Sequence, residues 1–439
     1  MLCPVCGDPE PLDLVRGELS PWECCSPQPD LLKHCPDCGK LFKMDAHQCD
    51  RAACRGIALK VPPSTWSDAH GGVQRRRSVN VAGGREFEAP PDEITEWPMT
   101  FRADIGDTLI SAYGRLYFDC DPNVQSYRGT NRLVGGPFPA FPRAEPTAII
   151  AHSGYLAVLG DTKVFLLDAN EPVDLVQLDW SASAQMIADE EWWLIGELGI
   201  ARLSLNSAIA GDSPEVLLAE DFSHALPPVR LGEGQPWLMM PSGRHFVVMP
   251  SDEVRELPPL PPEENHFAAF TSNGYAVSLA NREGNVGGIV RIWTISALTA
   301  GEKPELIQFD FSLSHTWCAH GETAFLCATS GDLIQPILLD SPQFRVDALR
   351  LPQATGLQEI VWLDENPGRL LYKTTNGILT LLDPDPNSQL KTPWNIAWNG
   401  GSMKSWVVWG QVIVTVLETS EGCRLVTIPR KRQEKLPSC

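Results

Sequence analysis

Between Thr147 and Ala169 the chain reads TAIIAHSGYLAVLGDTKVFLLDA: an apolar run, a small turn, a second apolar run, a Gly-Asp turn and a third apolar run. Short apolar runs bounded by Gly, Asn or Asp turns are the sequence of antiparallel strands joined as hairpins. Variants of this stretch return at intervals of roughly forty residues to the C-terminus, and a fixed period of that size signals stacked supersecondary units. One such unit cannot bury its apolar faces alone, so the units must pack on one another. Helical periodicity is almost absent from the whole region.

Units begin near Asp107, Thr147, Gln185, Pro228, His266, His315, Gln358 and Lys404. The pattern predicts an all-β chain whose residues 99–430 form a β-propeller of seven or eight blades, eight being preferred. The last unit ends at Pro429 with room for three strands only, so a strand from before Asp107 is expected to complete the final sheet and remove an exposed edge. If one unit supplies only closing strands, seven blades remain. The region resembles propellers in general. Trp180, Trp293 and Trp362 are not followed by Asp, so the signature dipeptide of WD40 blades is missing.

Eight of the thirteen cysteines fall within the first 54 residues: Cys3, Cys6, Cys24, Cys25, Cys35, Cys38, Cys49 and Cys54. Two occur as Cys3-Pro-Val-Cys6-Gly and two as Cys35-Pro-Asp-Cys38-Gly. In a tight turn the thiolates of CxxC converge on one ion, and the following Gly permits the positive φ of that turn. Cys49 and Cys54, on the far side of Leu41 and Phe42, complete a four-thiolate site with Cys35 and Cys38; His47 is an alternative to Cys49. The first site is less regular. Cys3 and Cys6 pair with Cys24 and Cys25, adjacent residues whose side chains point to opposite sides of an extended chain, or with one of them and His34; ligands exchanged between the two knuckles are a further arrangement. Zinc is the expected metal in both sites, although an iron–sulfur cluster uses the same ligands. Residues 1–60 hold few large apolar side chains, and two structural ions would each supply folding free energy on the order of 10 kcal/mol. The segment resembles a tandem, or double, zinc ribbon at these eight cysteines, departing from it in the spacing of the Cys24/Cys25 and Cys49/Cys54 pairs. The resemblance implies a module that docks on protein or touches nucleic acid and is rarely catalytic.

The formal charge of −20 is unevenly spread. Residues 100–429 carry 39 acidic and 20 basic side chains, whereas Met1–Lys60 is nearly balanced. An acidic ring repels phosphate, which disfavours nucleic acid and anionic membrane as its partners. Residues 61–98 are rich in Pro, Gly, Ser and charge and read as a flexible linker. Within it Arg75, Arg76 and Arg77 form a basic run, and Ser78 to Val81 or Arg85 to Phe87 are short enough and β-prone enough to be recruited as an outer strand. Residues 431–439 read as a basic tail. No apolar run reaches membrane-spanning length, and the N-terminus lacks the basic lead and apolar core of a secretion signal. Clustered CxxC pairs suit a reducing compartment, so the expected location is the cytoplasm.

No catalytic residues are assigned. The chain has neither a G-x-S-x-G elbow nor a P-loop. His315, Cys318 and His320 would alternate across a strand. Asp119-x-Asp121-x-Asn123 and Asp383-x-Asp385-x-Asn387 lack the Gly and Glu of a calcium loop and read as turns. Glu190, Glu191, Trp192 and Trp193 read as strand residues with one indole inward, and Leu257–Pro262, LPPLPP, as a stiff spacer. The reading that follows is a non-enzymatic interaction scaffold or adaptor. In its pairing of domains the chain resembles the propeller component of bacterial systems that couple a MoxR-type AAA ATPase with a von Willebrand A domain protein, which implies substrate recruitment beside the ATPase. Alternatives are a nucleic-acid-associated factor working through the ribbon and Arg75–Arg77, and a hydrolase or lyase using the propeller mouth.

Overall fold

The computed structural model describes residues 174–382, with short interruptions at 189, 232–233, 283, 285–286, 343–346, 352–355, 365–368 and 375–378. Outside that span it describes the strand segments at 33–34, 41–42, 78–80, 95–101, 105–112, 115–120, 123–128, 149–152, 155–159, 163–168, 394–396, 401–409, 412–419 and 422–429. Among the described residues, eight sheets of three or more strands follow one another along the chain, antiparallel apart from one added parallel strand and most with four strands in simple meander order. Their first strands are Ile105–Ala112, Ile149–His152, Ala182–Ala188, Val229–Arg230, Glu264–Ser272, Leu313–His320, Leu357–Asp364 and Gly401–Trp409. Each unit start read from the sequence falls inside or just before one of these strands.

The first strands face one another from the first sheet to the seventh, and Gly401–Trp409 of the last sheet returns to lie beside Ile105–Ala112 of the first. First strands therefore line an axis and later strands lie progressively farther out, which is the arrangement of a β-propeller. Closure uses a strand from upstream. Thr95–Phe101 pairs antiparallel with Gly422–Pro429 and gives the last sheet its fourth strand, as the shortage of strands after Lys404 requires. Pro98 falls in the irregular part of this ladder, between the Thr100↔Arg424 and Glu96↔Val426 pairs. A residue without an N–H sits best where the ladder is already interrupted.

Apolar residues fill the wedges between consecutive sheets. Leu159, Val164 and Leu166 of the second sheet pack with Ile187, Trp192 and Leu194 of the third; Met186, Trp193 and Ile195 of the third pack with Leu238 and Phe246 of the fourth. Further wedges join the fourth sheet to the fifth around Trp237 and Trp293, the fifth to the sixth around Phe270 and Trp317, and the sixth to the seventh around Phe325 and Ile360. Both faces of such a sheet are covered, so its strands run apolar throughout instead of alternating. Trp192 and Trp193 show the consequence. Both indoles are buried, one in each flanking wedge, where the sequence suggested a single inward one.

Ion pairs cross some of these wedges on the outside. Arg202, on the third strand of the third sheet, bonds Glu215 at 2.9 Å and also Asp252, in a turn of the fourth sheet. Arg244 of the fourth sheet bonds Glu256 at 2.7 Å and Glu220 of the preceding connection at 2.5 Å. Exposed pairs like these add little stability each but tie neighbouring sheets in one register. Two six-residue helices, Leu205–Ala210 and Ile295–Ala300, join third to fourth strands; Ser204 and Thr294 cap their first N–H groups, and Gly211 and Gly301 end them at positive φ.

Candidate functional site

The chain upstream of the ring enters the axial region. Ser78–Asn80 pairs in parallel with Leu357–Asp364, with Ser78 opposite Trp362, Val79 opposite Leu363 and Asn80 opposite Asp364. It also lies beside Leu313–His320, the first strand of the sixth sheet. The sequence allowed this segment to join a sheet as an outer strand; it joins at the inner edge. The outer edge of that sheet is occupied by Trp394–Ile396, whereas the first strand of any blade has an unused edge toward the axis. A short extended segment fits there.

A second polar feature sits between the fourth and fifth sheets. A bulge between His266 and Ala268 shifts the register of the fifth sheet's first strand. Arg291, two strands over, grips both carboxylate oxygens of Glu264, the Nη2 bond measuring 2.7 Å. Both residues are buried, and a bidentate buried pair of this kind satisfies its own charges. His266 is 1% exposed, neither ring nitrogen has a hydrogen-bond partner, and Nε2 lies 3.6 Å from Glu264 Oε2. Burial first, then the Arg291 guanidinium and His245, push its pKa down to about 3. His245 is also depressed, chiefly by burial. Its Nε2 lies 2.9 Å from the Pro258 carbonyl and must donate to it, so Nδ1 accepts from Trp237 Nε1 at 3.4 Å. A cavity of about 340 Å³ opens above this cluster, lined by Pro241, Ser242, Pro262, Glu263, Glu264 and Asn265. Glu264 is already committed to Arg291, which leaves it unsuited to act as a base there.

The residues singled out in the sequence disperse. The eight cysteines Cys3, Cys6, Cys24, Cys25, Cys35, Cys38, Cys49 and Cys54, like His47 and Arg75–Arg77, lie outside the described residues. Lys33–His34 and Leu41–Phe42 do pair antiparallel, Lys33 with Phe42 and His34 with Leu41. His315 is exposed and packs its ring 4.5 Å from Phe267, His320 stacks on Trp362 at 5.2 Å, and Cys318 is fully buried between sheets. Those three residues do not converge, and among the described residues no group of three or more His, Cys, Asp or Glu is placed to hold a metal. Asp119 pairs with Val124 and Cys120 with Asn123 in the first sheet; Asp121 and Asp383–Asn387 lie outside the described residues. Leu257 and Leu260 of LPPLPP are buried in the wedge and its Pro258 carbonyl receives His245, so the segment serves as a packed connector. The Glu264–Arg291 pair escaped sequence reading because its members are 27 residues apart with no local signal between them. Among the described residues no helix is long and apolar enough to cross a membrane.

No family model matches the chain, and no curated protein matches it in sequence. Among solved structures, the computationally designed Ika8 protein is similar over 78% of this chain and 99% of its own, with TM-score 0.52 and 10% identity. BamB from Moraxella catarrhalis aligns over 76% of this chain and 100% of its own, with TM-score 0.48 and 12% identity. Streptogramin B lyase aligns over 76% and 96%, with TM-score 0.43 and 10% identity. Identity this low speaks to fold alone.

Proposed function

We propose that the chain is a non-enzymatic interaction scaffold: an acidic, eight-bladed β-propeller platform preceded by a double zinc ribbon that docks a protein partner in the cytoplasm. The observation that carries this reading is the antiparallel pairing of Lys33–His34 with Leu41–Phe42, the residues that flank Cys35-Pro-Asp-Cys38-Gly-Lys in the sequence. Supporting it, the sheet faces of the ring are spent on one another, leaving turns, outer strands and acidic side chains as the surface offered to others. Cys3, Cys6, Cys24, Cys25, Cys35, Cys38, Cys49 and Cys54 would hold the two ions. A MoxR-type AAA ATPase or its von Willebrand A domain companion is the partner proposed, with the propeller recruiting substrates beside it.

Two measurements test this. Native mass spectrometry of the purified chain should find two zinc ions, and Cys35→Ser with Cys38→Ser should lose one; a chain that takes up no metal removes the ribbon. Pulldown from the native host should recover the ATPase or its companion with the intact chain and not with one lacking Met1–Lys60. Equal recovery by both would move docking to the ring.

A further inference from the structure

The inner edge of Leu357–Asp364 already holds an extended segment, and the surrounding sequence suits an exchangeable one. Ser78–Asn80 belongs to a ten-residue cassette, Val73-Gln-Arg-Arg-Arg-Ser-Val-Asn-Val-Ala82, set between Gly71-Gly72 and Gly83-Gly84. The cassette combines a basic run with alternating valines, and the ring it enters carries nearly twice as many acidic as basic side chains. Long-range attraction therefore favours its approach. The pairing itself is slight: three residues in register, in parallel, the weaker of the two ladder types per residue. An element so short has low local stability and opens without unfolding the ring.

We propose that the inner edge of Leu357–Asp364 is a strand-acceptor slot for an extended peptide of this chemistry, a basic run followed by alternating β-branched residues, and that Ser78–Asn80 is its built-in, displaceable occupant. Filled in cis, the slot anchors the N-terminal segment near the axis. Emptied, it accepts the same kind of segment from a protein partner, main-chain bonding supplying affinity as in other strand additions. The slot is independent of whether the cysteines hold zinc.

The test uses the full chain. In a parallel ladder the bonded residue alternates, so the donors to Leu357–Asp364 are either Val79 or the pair Ser78 and Asn80; Val79→Pro with Asn80→Pro removes the donor in the first case and one of the two in the second. Hydrogen exchange of the Leu363–Asp364 amides should rise by ~10-fold or more in this variant, with Glu264–Ser272 unchanged as evidence that the ring is folded. A fluorescein-labelled peptide of residues 73–82 should then bind the variant, more weakly as salt rises, and the wild type at least ~10-fold more weakly, because there it must first displace the occupant. The peptide carrying the two prolines should bind neither. If the proline variant fails to fold, glycine at 78, 79 and 80 empties the slot more gently and the same titration applies. Unchanged exchange, or a peptide that binds wild type and emptied variant alike or neither, overturns the proposal.

Discussion

His266 has one way to remain where it is, which is uncharged. Its ring is enclosed, has no hydrogen-bond partner and shares its wedge with the Arg291 guanidinium. In the unfolded chain the same imidazole titrates near its ordinary 6.5, whereas in the folded protein it does so at about 3. Between these values the unfolded state binds a proton that the folded state refuses. The stability His266 allows is therefore whole above the unfolded value and is lost as pH falls from about 6.5 toward 3, by at most about 1.4 kcal/mol per pH unit. His266→Leu should flatten that part of the profile. Urea unfolding of both proteins near neutrality and at about pH 5 checks this; parallel curves would mean that the imidazole is not the group responsible.

At the scale of the element, close approach of backbones matters more than turn type. Gly211 and Gly331 both have positive φ, but a Cβ on Gly211 meets nothing within 4 Å, while one on Gly331 would lie 2.6 Å from Gly356 Cα at the entry to the seventh sheet. Gly211→Ala should cost about 1 kcal/mol, the conformational penalty alone. Gly331→Ala should cost roughly 3 kcal/mol or more, because backbone must move; comparable thermal midpoints for the two variants would contradict this. Strands and turns of this kind were legible in the sequence, since run lengths and Gly, Asn or Asp punctuation are local properties. Which face a residue serves was not legible. Trp192 and Trp193 enter opposite wedges, and two-sided burial erases the alternation that would have told them apart. The inner position of Ser78–Asn80 was hidden for a similar reason: three residues show β-propensity without showing which edge is vacant. As for the cysteines, their spacing suggests a metal-binding chemistry from sequence alone, and all eight lie outside the described residues.

The whole molecule depends on one borrowed strand. Without Thr95–Phe101 the sheet that ends the chain would present Gly422–Pro429 as an open edge, a template for association. A chain beginning at residue 95 should melt close to the full-length ring, whereas one beginning at residue 103 should melt lower by roughly 5 °C or more and scatter light increasingly with concentration. Equal melting of the two would show that closure rests on the other contacts between the last and first sheets.

That borrowed strand also brings the two limits of the ring together in a single sheet. A circle whose ends are neighbours has no privileged starting point: the order of its blades is cyclic, and the covalent break is a matter of where translation begins. Joining Pro429 to Thr95 through a short flexible linker and opening the chain in any turn between sheets would leave every ladder of the ring unchanged except the added pairing of Ser78–Asn80 with Leu357–Asp364. Circular permutants of this protein are accordingly expected to fold, with the new termini, and whatever is fused to them, carried to a chosen blade.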